Sequence, residues 1–420
     1  MRISIVTGVF PPEPVVSAKT SHDIASALSQ AGHRVEVITP FPSKPAGRLY
    51  KGYSRRLWTQ ATDDGGFKIV RCFSVLSRKS SLGSRFLENL SFGLVSSLRL
   101  LFSKKPDVVY ANTGAIFAVG IVSIVCLFRR IPYVISIQDI YPESLVNQGR
   151  IKPGGALESI LKSADSWVAS RADSVVVLSR EFCSIYEDTR LVPRGRVHII
   201  RNWGAAEFLD FSAVDSGAVR SRLGIRRSSF LYVYAGNIGV AAGLETLIRE
   251  VQIAGRQHDI VLLIAGDGSA VARCKDLAAA TIDDRVVFRS PWPVEETAEI
   301  LGCADAFVLP TLAEQAQVSV PSKLISYLFA GRPVLAVASP GSEIDEIVRE
   351  SGCGWVVPDT GSGSIAKVLA AVARTDRDEL TIMGRKGREF AINAFGRDRA
   401  LASYCRVILL AAEQRRRGSA

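Results

Sequence analysis

None of the seven cysteines stands in a CxxC pair, and their number is odd. That disfavours a zinc site or a disulfide framework and favours a reducing compartment. The four histidines are dispersed along the chain, so no His-based metal site is expected. No apolar run is long enough for a spanning helix. The longest, AIFAVGIVSIVCLF from Ala115 to Phe128, reads as a buried core helix. The N-terminus opens directly on an apolar strand, ISIVTGVF, followed by proline-rich and acidic residues, so no secretory signal is expected. The lysine-bearing GxxxxGK[ST] phosphate loop is also missing, which disfavours a nucleoside triphosphatase.

What is present begins with size. A chain of 420 residues exceeds the usual single core, so two domains are the default. Apolar content of 47% and charged content of 22% describe an ordinary globular protein. Charge is unevenly divided: residues 1–200 hold 26 Lys and Arg against 15 Asp and Glu, while the remainder holds 26 of each. Many of the first half's cations lie beside aromatic residues, as Arg48, Lys51, Arg55 and Arg56 do near Tyr50, Tyr53 and Trp58. This pattern suits either an anionic lipid surface or an anionic acceptor, or is simply a solvated basic face. No recognisable nucleic-acid module accompanies the charge, so nucleic acid is not an expected partner.

Short runs rich in valine and isoleucine alternate with helical patterns throughout. Strand candidates in the first half include Ile3–Val9, Arg34–Thr39, Phe67–Cys72, Asp107–Ala111, Tyr133–Gln138 and Ser174–Leu178. In the second half they include Leu231–Tyr234, Ile260–Ile264, Val286–Arg289, Ala306–Leu309 and Val334–Val337. Such runs between helices predict parallel sheets covered on both faces. The expected fold is therefore α/β: two doubly wound, Rossmann-like domains facing each other across a crevice, with ligands at the C-terminal strand ends. The boundary is expected near Asn202–Trp203, giving domains 1–202 and 203–396. A terminal helix over 397–414 is expected to pack back on the first.

Five segments carry candidate chemistry. YAGNIG, with Gly236, Asn237 and Gly239, and AGDGS, with Gly266, Asp267 and Gly268, each follow a predicted strand. Such glycines either bring backbone N–H groups close to a phosphate or simply turn the chain into the next helix. FPPEP supplies Glu13, and QDIYPES supplies Gln138, Asp139 and Glu143, all just beyond strand ends. A carboxylate there binds hydroxyls or acts as a base, or else caps a helix. VPSKLISYLFAGRP puts Ser322 at an N-cap, Lys323 in a first helical turn and Gly331 with Pro333 at the stop. A cation at a helix N-terminus is mildly unfavourable unless an anion sits between the two.

In order along the chain, FPPEP, AGHRVEVIT, FPSKPAG, KPDVVYAN, QDIYPESL, VVVLS, VHIIRNW, YAGNIGVAAGLETLI, IAGDGS and VPSKLISYLFAGRPVLA resemble retaining glycosyltransferases of the GT-B type. The likeness is to family 4, in the branch that builds bacterial surface polysaccharides, such as the fucosamine-transferring and colanic-acid enzymes. It implies transfer of a sugar, of the N-acetylated amino type, from a UDP-sugar to a polyprenyl-diphosphate-linked saccharide at the inner face of the cytoplasmic membrane. No metal and no cofactor are implied. The diphosphate would lie against Gly236–Gly239, Ser322 and Lys323. Asp139 and Glu143 would orient substrates, and Glu13 and Gln138 would lie on the acceptor side.

The chain departs from the family pattern at several positions. Asn237 and Ala242 replace an arginine and a lysine common in relatives, and Gln138 replaces a histidine. Val318 and Ser326 occupy places where relatives often carry two glutamates, the second holding the ribose hydroxyls. Two other readings fit the same architecture. A nucleotide-sugar epimerase would need an acid–base set that the scattered histidines do not supply. A catalytically weak scaffold in a polysaccharide assembly complex would suit the missing charges.

Overall fold

The computed structural model describes residues 1–44, 46–76, 82–112, 116–147, 149–203, 207, 209–239, 242–280, 284–310, 322–358 and 363–417. The chain folds as two compact units, one of residues 1–202 with 398–420 and one of residues 203–397. The first unit runs through β1 (Arg2–Val6), α1 (Val16–Gln30), β2 (Arg34–Pro40), β3 (Trp58–Thr62), β4 (Lys68–Cys72), α2 (Leu82–Phe102) and β5 (Val108–Asn112). It continues with α3 (Ile116–Phe128), β6 (Tyr133–Ser136), α4 (Glu143–Asn147), α5 (Ala156–Ser170), β7 (Ser174–Val177), α6 (Arg180–Ser184) and β8 (Val197–Ile199).

The second unit holds α7 (Ser216–Arg222), β9 (Phe230–Ala235), α8 (Leu244–Ala254), β10 (Ile260–Ala265), α9 (Val271–Ala279), β11 (Val286–Arg289) and α10 (Thr297–Gly302). It is completed by β12 (Ala306–Pro310), α11 (Ser322–Ala330), β13 (Val334–Val337), α12 (Glu343–Ser351), β14 (Gly354–Val357), α13 (Ser364–Val372) and α14 (Arg377–Phe395). The last helix, α15 (Arg397–Arg417), lies in the first unit from Asp398 onward. There the Tyr404 ring meets that of Tyr110 at 5.9 Å, and Arg415 reaches Asp173 at 3.5 Å.

Among the described residues the second sheet is ordered β11-β10-β9-β12-β13-β14, with every pairing parallel. β9 (FLYVYA) and β10 (IVLLIA) are buried along their whole length. Successive side chains feed opposite faces: Leu231, Val233 and Leu263 enter one core, and Tyr232, Tyr234 and Leu262 the other. The chain reverses direction across the sheet between β9 and β12. A doubly wound sheet opens a ligand crevice at that switch point, beyond the strands' C-terminal ends.

The first sheet is ordered β3-β4-β2-β1-β5-β6-β7-β8, with its own reversal between β1 and β5. Its antiparallel edge strand β3 was not expected from the sequence. Only Thr59 of its five residues is not exposed, so WTQAT shows no apolar face. The expectation that Ala115–Phe128 is a buried core helix holds for one face only, with Ala115 itself outside the described residues. Ala118, Val122 and Cys126 of α3 point inward, but Ile124 is 56% and Phe128 79% exposed. The helix is pressed against α2 at Gly93, where a Cβ would lie 2.8 Å from the Ala118 Cα. That contact fixes which face of α3 is buried and leaves the opposite face outward.

Candidate active site

In the second unit, two glycine turns and one helix start come together from three separate stretches of sequence. β9 ends at Ala235, and its polar end is clasped by Tyr327 of α11. The Ala235 N–H donates to the Tyr327 hydroxyl at 2.9 Å, and that hydroxyl donates to the Ala235 carbonyl at 3.2 Å. The Tyr327 ring stacks on Phe307 of β12, with centroids 4.1 Å apart and planes at 6°. Lys323 stands one helical turn before Tyr327 on the same face. The clasp therefore delivers Lys323 to the strand end. A Cβ added to Gly236 would fall 2.2 Å from the Lys323 Cε. The lysine stem thus lies across the bare α-carbon of Gly236, and its Nζ sits 5.1 Å from the Tyr234 ring centroid.

The second turn backs onto the first. The Ile238 N–H donates to the Asp267 carbonyl at 2.8 Å, and Ala270 N–H donates back to the Ile238 carbonyl at 2.9 Å. A Cβ at Gly266 would be 1.9 Å from the Gly236 oxygen, and one at Gly268 would be 2.4 Å from the Ile238 oxygen. Glycine at 266 and 268 is what lets the two loops touch. Gly239 lies next to the Asn237 amide, and Tyr234 donates its hydroxyl proton to the Asn237 carbonyl at 2.6 Å. Asn237 and Asp267 form the exposed tips of the paired loops.

Burial lowers the Lys323 pKa from the usual lysine value. An ammonium stripped of part of its water in this way gains from a neighbouring anion, as does the N-terminal turn of a helix. That helix has no acidic residue in its first turn. Ser322, expected as the N-cap, is instead the first residue of α11. Ser326 donates its hydroxyl to the Ser322 carbonyl at 3.1 Å, a back-bond within the helix, so its proton is already committed. Ala242, where relatives often carry lysine, is buried among the apolar residues under α8. Val318 lies outside the described residues.

In the first unit the acidic candidates divide. Glu13 is buried and fastens its own loop: its carboxylate accepts the N–H groups of Ser43 at 2.9 Å, Lys44 at 2.8 Å and Phe10 at 3.2 Å. Arg71, which the sequence gave no reason to single out, donates to the carbonyls of Pro11 and Pro40 beneath the same loop. Glu143, at the start of α4, is held by Arg190, whose guanidinium lies 2.8 Å away and is 2% exposed. Arg190 also meets Asp165 at 2.8 Å and donates to the Tyr141 carbonyl at 2.9 Å. Burial alone would lower the Arg190 pKa, but the hydrogen bonds it donates to both carboxylates outweigh that and raise it.

Gln138 is half-buried, donating to Ser136 at 3.0 Å and accepting from Asn202 at 3.2 Å. Asp139 differs from the other acids. It is exposed at its tip, yet the protein mass around it disfavours its charge and raises its pKa. Of the acids in this unit expected at the site, Asp139 is the one whose carboxylate faces outward with a perturbed affinity for protons.

Both units match known families. Residues 17–203 match a family model described as a glycosyl transferase 4-like domain, and residues 229–375 match one described as glycosyl transferases group 1. The glycosyltransferase WbjE of Pseudomonas aeruginosa is 25% identical over 79% of this chain and 81% of its own. WcaI of Escherichia coli K12, whose name assigns it to colanic acid biosynthesis, is 23% identical over 83% of this chain and 86% of its own. The solved structure of Anabaena Alr3699/HepE in complex with UDP superposes with a TM-score of 0.66, covering 97% of this chain and 99% of that one at 13% identity. The two matched domains stand in order on two doubly wound units, and the chain belongs to the GT-B glycosyltransferases of the group 1 and family 4 type.

Proposed function

We propose that this glycosyltransferase moves an N-acetylated amino sugar from a UDP-sugar to a polyprenyl-diphosphate-linked saccharide during surface polysaccharide synthesis, with retention of anomeric configuration. The observation that carries the donor half of this reading is the Lys323 stem lying across Gly236 at the switch point of the second sheet. A diphosphate there meets a part-desolvated cation, the first turn of α11 and the backbone of two nested glycine turns. Alr3699/HepE, of the same fold, binds UDP. The relative WcaI, named for colanic acid biosynthesis, supports the polysaccharide setting.

Charge accumulates on the leaving diphosphate as the sugar–phosphate bond breaks, and preorganised donors aimed at that charge lower the barrier. Lys323 Nζ and the N–H groups of the α11 first turn take that role, with Ser322, Asn237, Gly239 and Asp267 lining the donor. The acceptor hydroxyl attacks from the face the diphosphate leaves, and a departing phosphate oxygen receives its proton. The reading assigns no metal and no cofactor to this step. Asp139 orients the incoming hydroxyl, and Glu143, fixed by Arg190, acts as a positioning residue for the 138–143 loop. Gln138 and Glu13 shape the acceptor side.

Among the described residues no helix is long and apolar enough to cross a membrane. Attachment to the inner face of the cytoplasmic membrane then rests on the basic first half. It should be lost as salt rises, because the Debye length shrinks from ~10 Å at 0.1 M to ~3 Å at 1 M. Flotation with phosphatidylglycerol vesicles at low and high salt checks this. The donor assignment is tested by thermal shift against a panel of nucleotide sugars. UDP and a UDP-linked amino sugar should raise the melting temperature, and transfer of label to a polyprenyl-diphosphate disaccharide should follow. A chain that ignores every nucleotide diphosphate in the panel overturns the reading.

A further inference from the structure

The first unit contains a cavity of about 440 Å³ between α2, α3 and α5, walled almost entirely by apolar side chains. Its volume falls in the range of small-molecule sites, roughly 300–1,000 Å³. Phe86 and Phe117, both in its wall, pack edge to face, ring centroids 5.0 Å apart at 80°. Three of its lining residues are also on the surface: Phe86 is 41%, Ile124 56% and Trp167 38% exposed. Leu87, Phe128 and Ile160 on the same helices are exposed as well. Exposed apolar side chains scattered singly need no explanation, but a set continuous with an apolar cavity marks a binding surface.

The cavity has a polar end. Tyr141 and Leu145, from the loop and helix that carry Asp139 and Glu143, form part of its wall. Burial raises the Tyr141 pKa, and the charges of Asp139, Arg85 and Arg150 act on the same hydroxyl. At the rim, the Arg171 guanidinium lies 4.7 Å from the Trp167 ring centroid. An apolar hollow with cations beside both its Tyr141 end and its Trp167 rim suits an amphiphile with an anionic head and a hydrocarbon tail.

We infer that this cavity holds the first part of the hydrocarbon chain of the lipid-linked acceptor, with its diphosphate at the Tyr141 end near Arg85 and Arg150. The inference rests on the lipid-linked acceptor proposed above. It adds the place where the chain lies and explains why α3 keeps Ile124 and Phe128 outward. The chain leaves past Phe86, Ile124 and Trp167, which sit at the bilayer surface.

Gly120 on α3 lines the cavity, and an added Cβ there would meet nothing closer than Val168 Cγ2 at 3.9 Å. Gly120→Leu therefore fills the hollow while improving helix propensity. The full-length protein is titrated with farnesyl diphosphate, inorganic pyrophosphate and UDP, following tryptophan fluorescence and heat. Farnesyl diphosphate should bind more tightly than pyrophosphate. Gly120→Leu should weaken it at least ~10-fold, the effect of an overpacked site, and leave UDP binding unchanged. The double variant Arg85→Ala, Arg150→Ala should reduce the advantage of the diphosphate over farnesol.

Equal binding of farnesyl diphosphate and pyrophosphate, or indifference to Gly120→Leu, overturns the inference. So does equal competition from phosphatidylglycerol vesicles, which would make the occupant an ordinary lipid chain. Protein that binds UDP but not farnesyl diphosphate removes the chain site alone. Protein that binds farnesyl diphosphate but not UDP supports the chain site and removes the donor assignment instead.

Discussion

Replacing Gly236 with alanine should disable Lys323 without removing its charge. The new methyl would lie 2.2 Å from Cε, 3.0 Å from Cδ and 3.2 Å from Cγ of the lysine, so the stem must swing away. The stem is flexible and ends near the surface, so the protein should remain folded. The backbone at Gly236 has φ +146°, which alanine tolerates poorly, and this adds ~1–3 kcal/mol of strain to the folded state. Turnover should fall ~10²–10³-fold, the usual loss when one donor to developing charge is misplaced. In a Lys323→Ala background the same change should barely affect turnover, since the atoms it would displace are gone. The two substitutions should therefore couple by roughly 2.7–4 kcal/mol in a double-mutant cycle. Initial transfer rates at saturating donor give the cycle, and a thermal melt confirms that each variant is folded. Wild-type turnover in the single variant, or losses that simply add, would refute the placement of Lys323 on the leaving group.

Other expectations concern charge. Burial gives Lys323 a folded-state pKa below its unfolded value, so between those two values the native state has released a proton that the unfolded chain keeps. Stability then rises with pH across that window, whereas UDP affinity falls through its lower edge. Calorimetry from neutral to alkaline pH should show UDP binding fading earlier than an ordinary lysine would allow, and Lys323→Arg should abolish the early loss. Arg190→Met leaves Asp165 buried opposite an apolar group and should cost ~3–5 kcal/mol in urea unfolding, with Glu143→Gln costing less. Ser326→Glu supplies the acid that the family resemblance implies near the ribose and should tighten UDP ~10-fold, as one charged hydrogen bond would. An unchanged dissociation constant in that variant would show that the ribose lies elsewhere.

The parallel strands and the glycine turns that follow them were legible because they rest on local pattern. FLYVYA, IVLLIA and VLAV are short apolar runs ended by glycine, proline or small residues, and a fully buried parallel strand needs little more. The edge strand β3 escaped because WTQAT faces solvent on both sides and mimics a basic, aromatic surface loop. The role of Arg190 was invisible for another reason. Its partners Asp165 and Glu143 lie 25 and 47 residues away, and nothing in the spacing of three charges foretells a buried network. Glu13 could be placed at a strand end, but two of its three backbone partners depend on a loop closing back through Ser43 and Lys44. The same limit applies to α3. Its composition says apolar, yet which face stays outward is decided by the close approach of Gly93 to Ala118.

The nested turns of the second unit also govern how this enzyme can diverge. Gly236, Gly266 and Gly268 hold space that any side chain would have to take from Lys323 or from a neighbouring carbonyl, so their replacement moves the floor of the pocket. Asn237 and Asp267, one residue along on the same loops, are exposed, and their exchange costs the floor only the local contacts of their side chains at Gly239 and Gly268. A saturation library over these five positions should return near-empty rows for the glycines and full rows for the two tips. Preference for one donor sugar over another can therefore drift by single substitutions at the tips, while the grip on the diphosphate stays frozen beneath them.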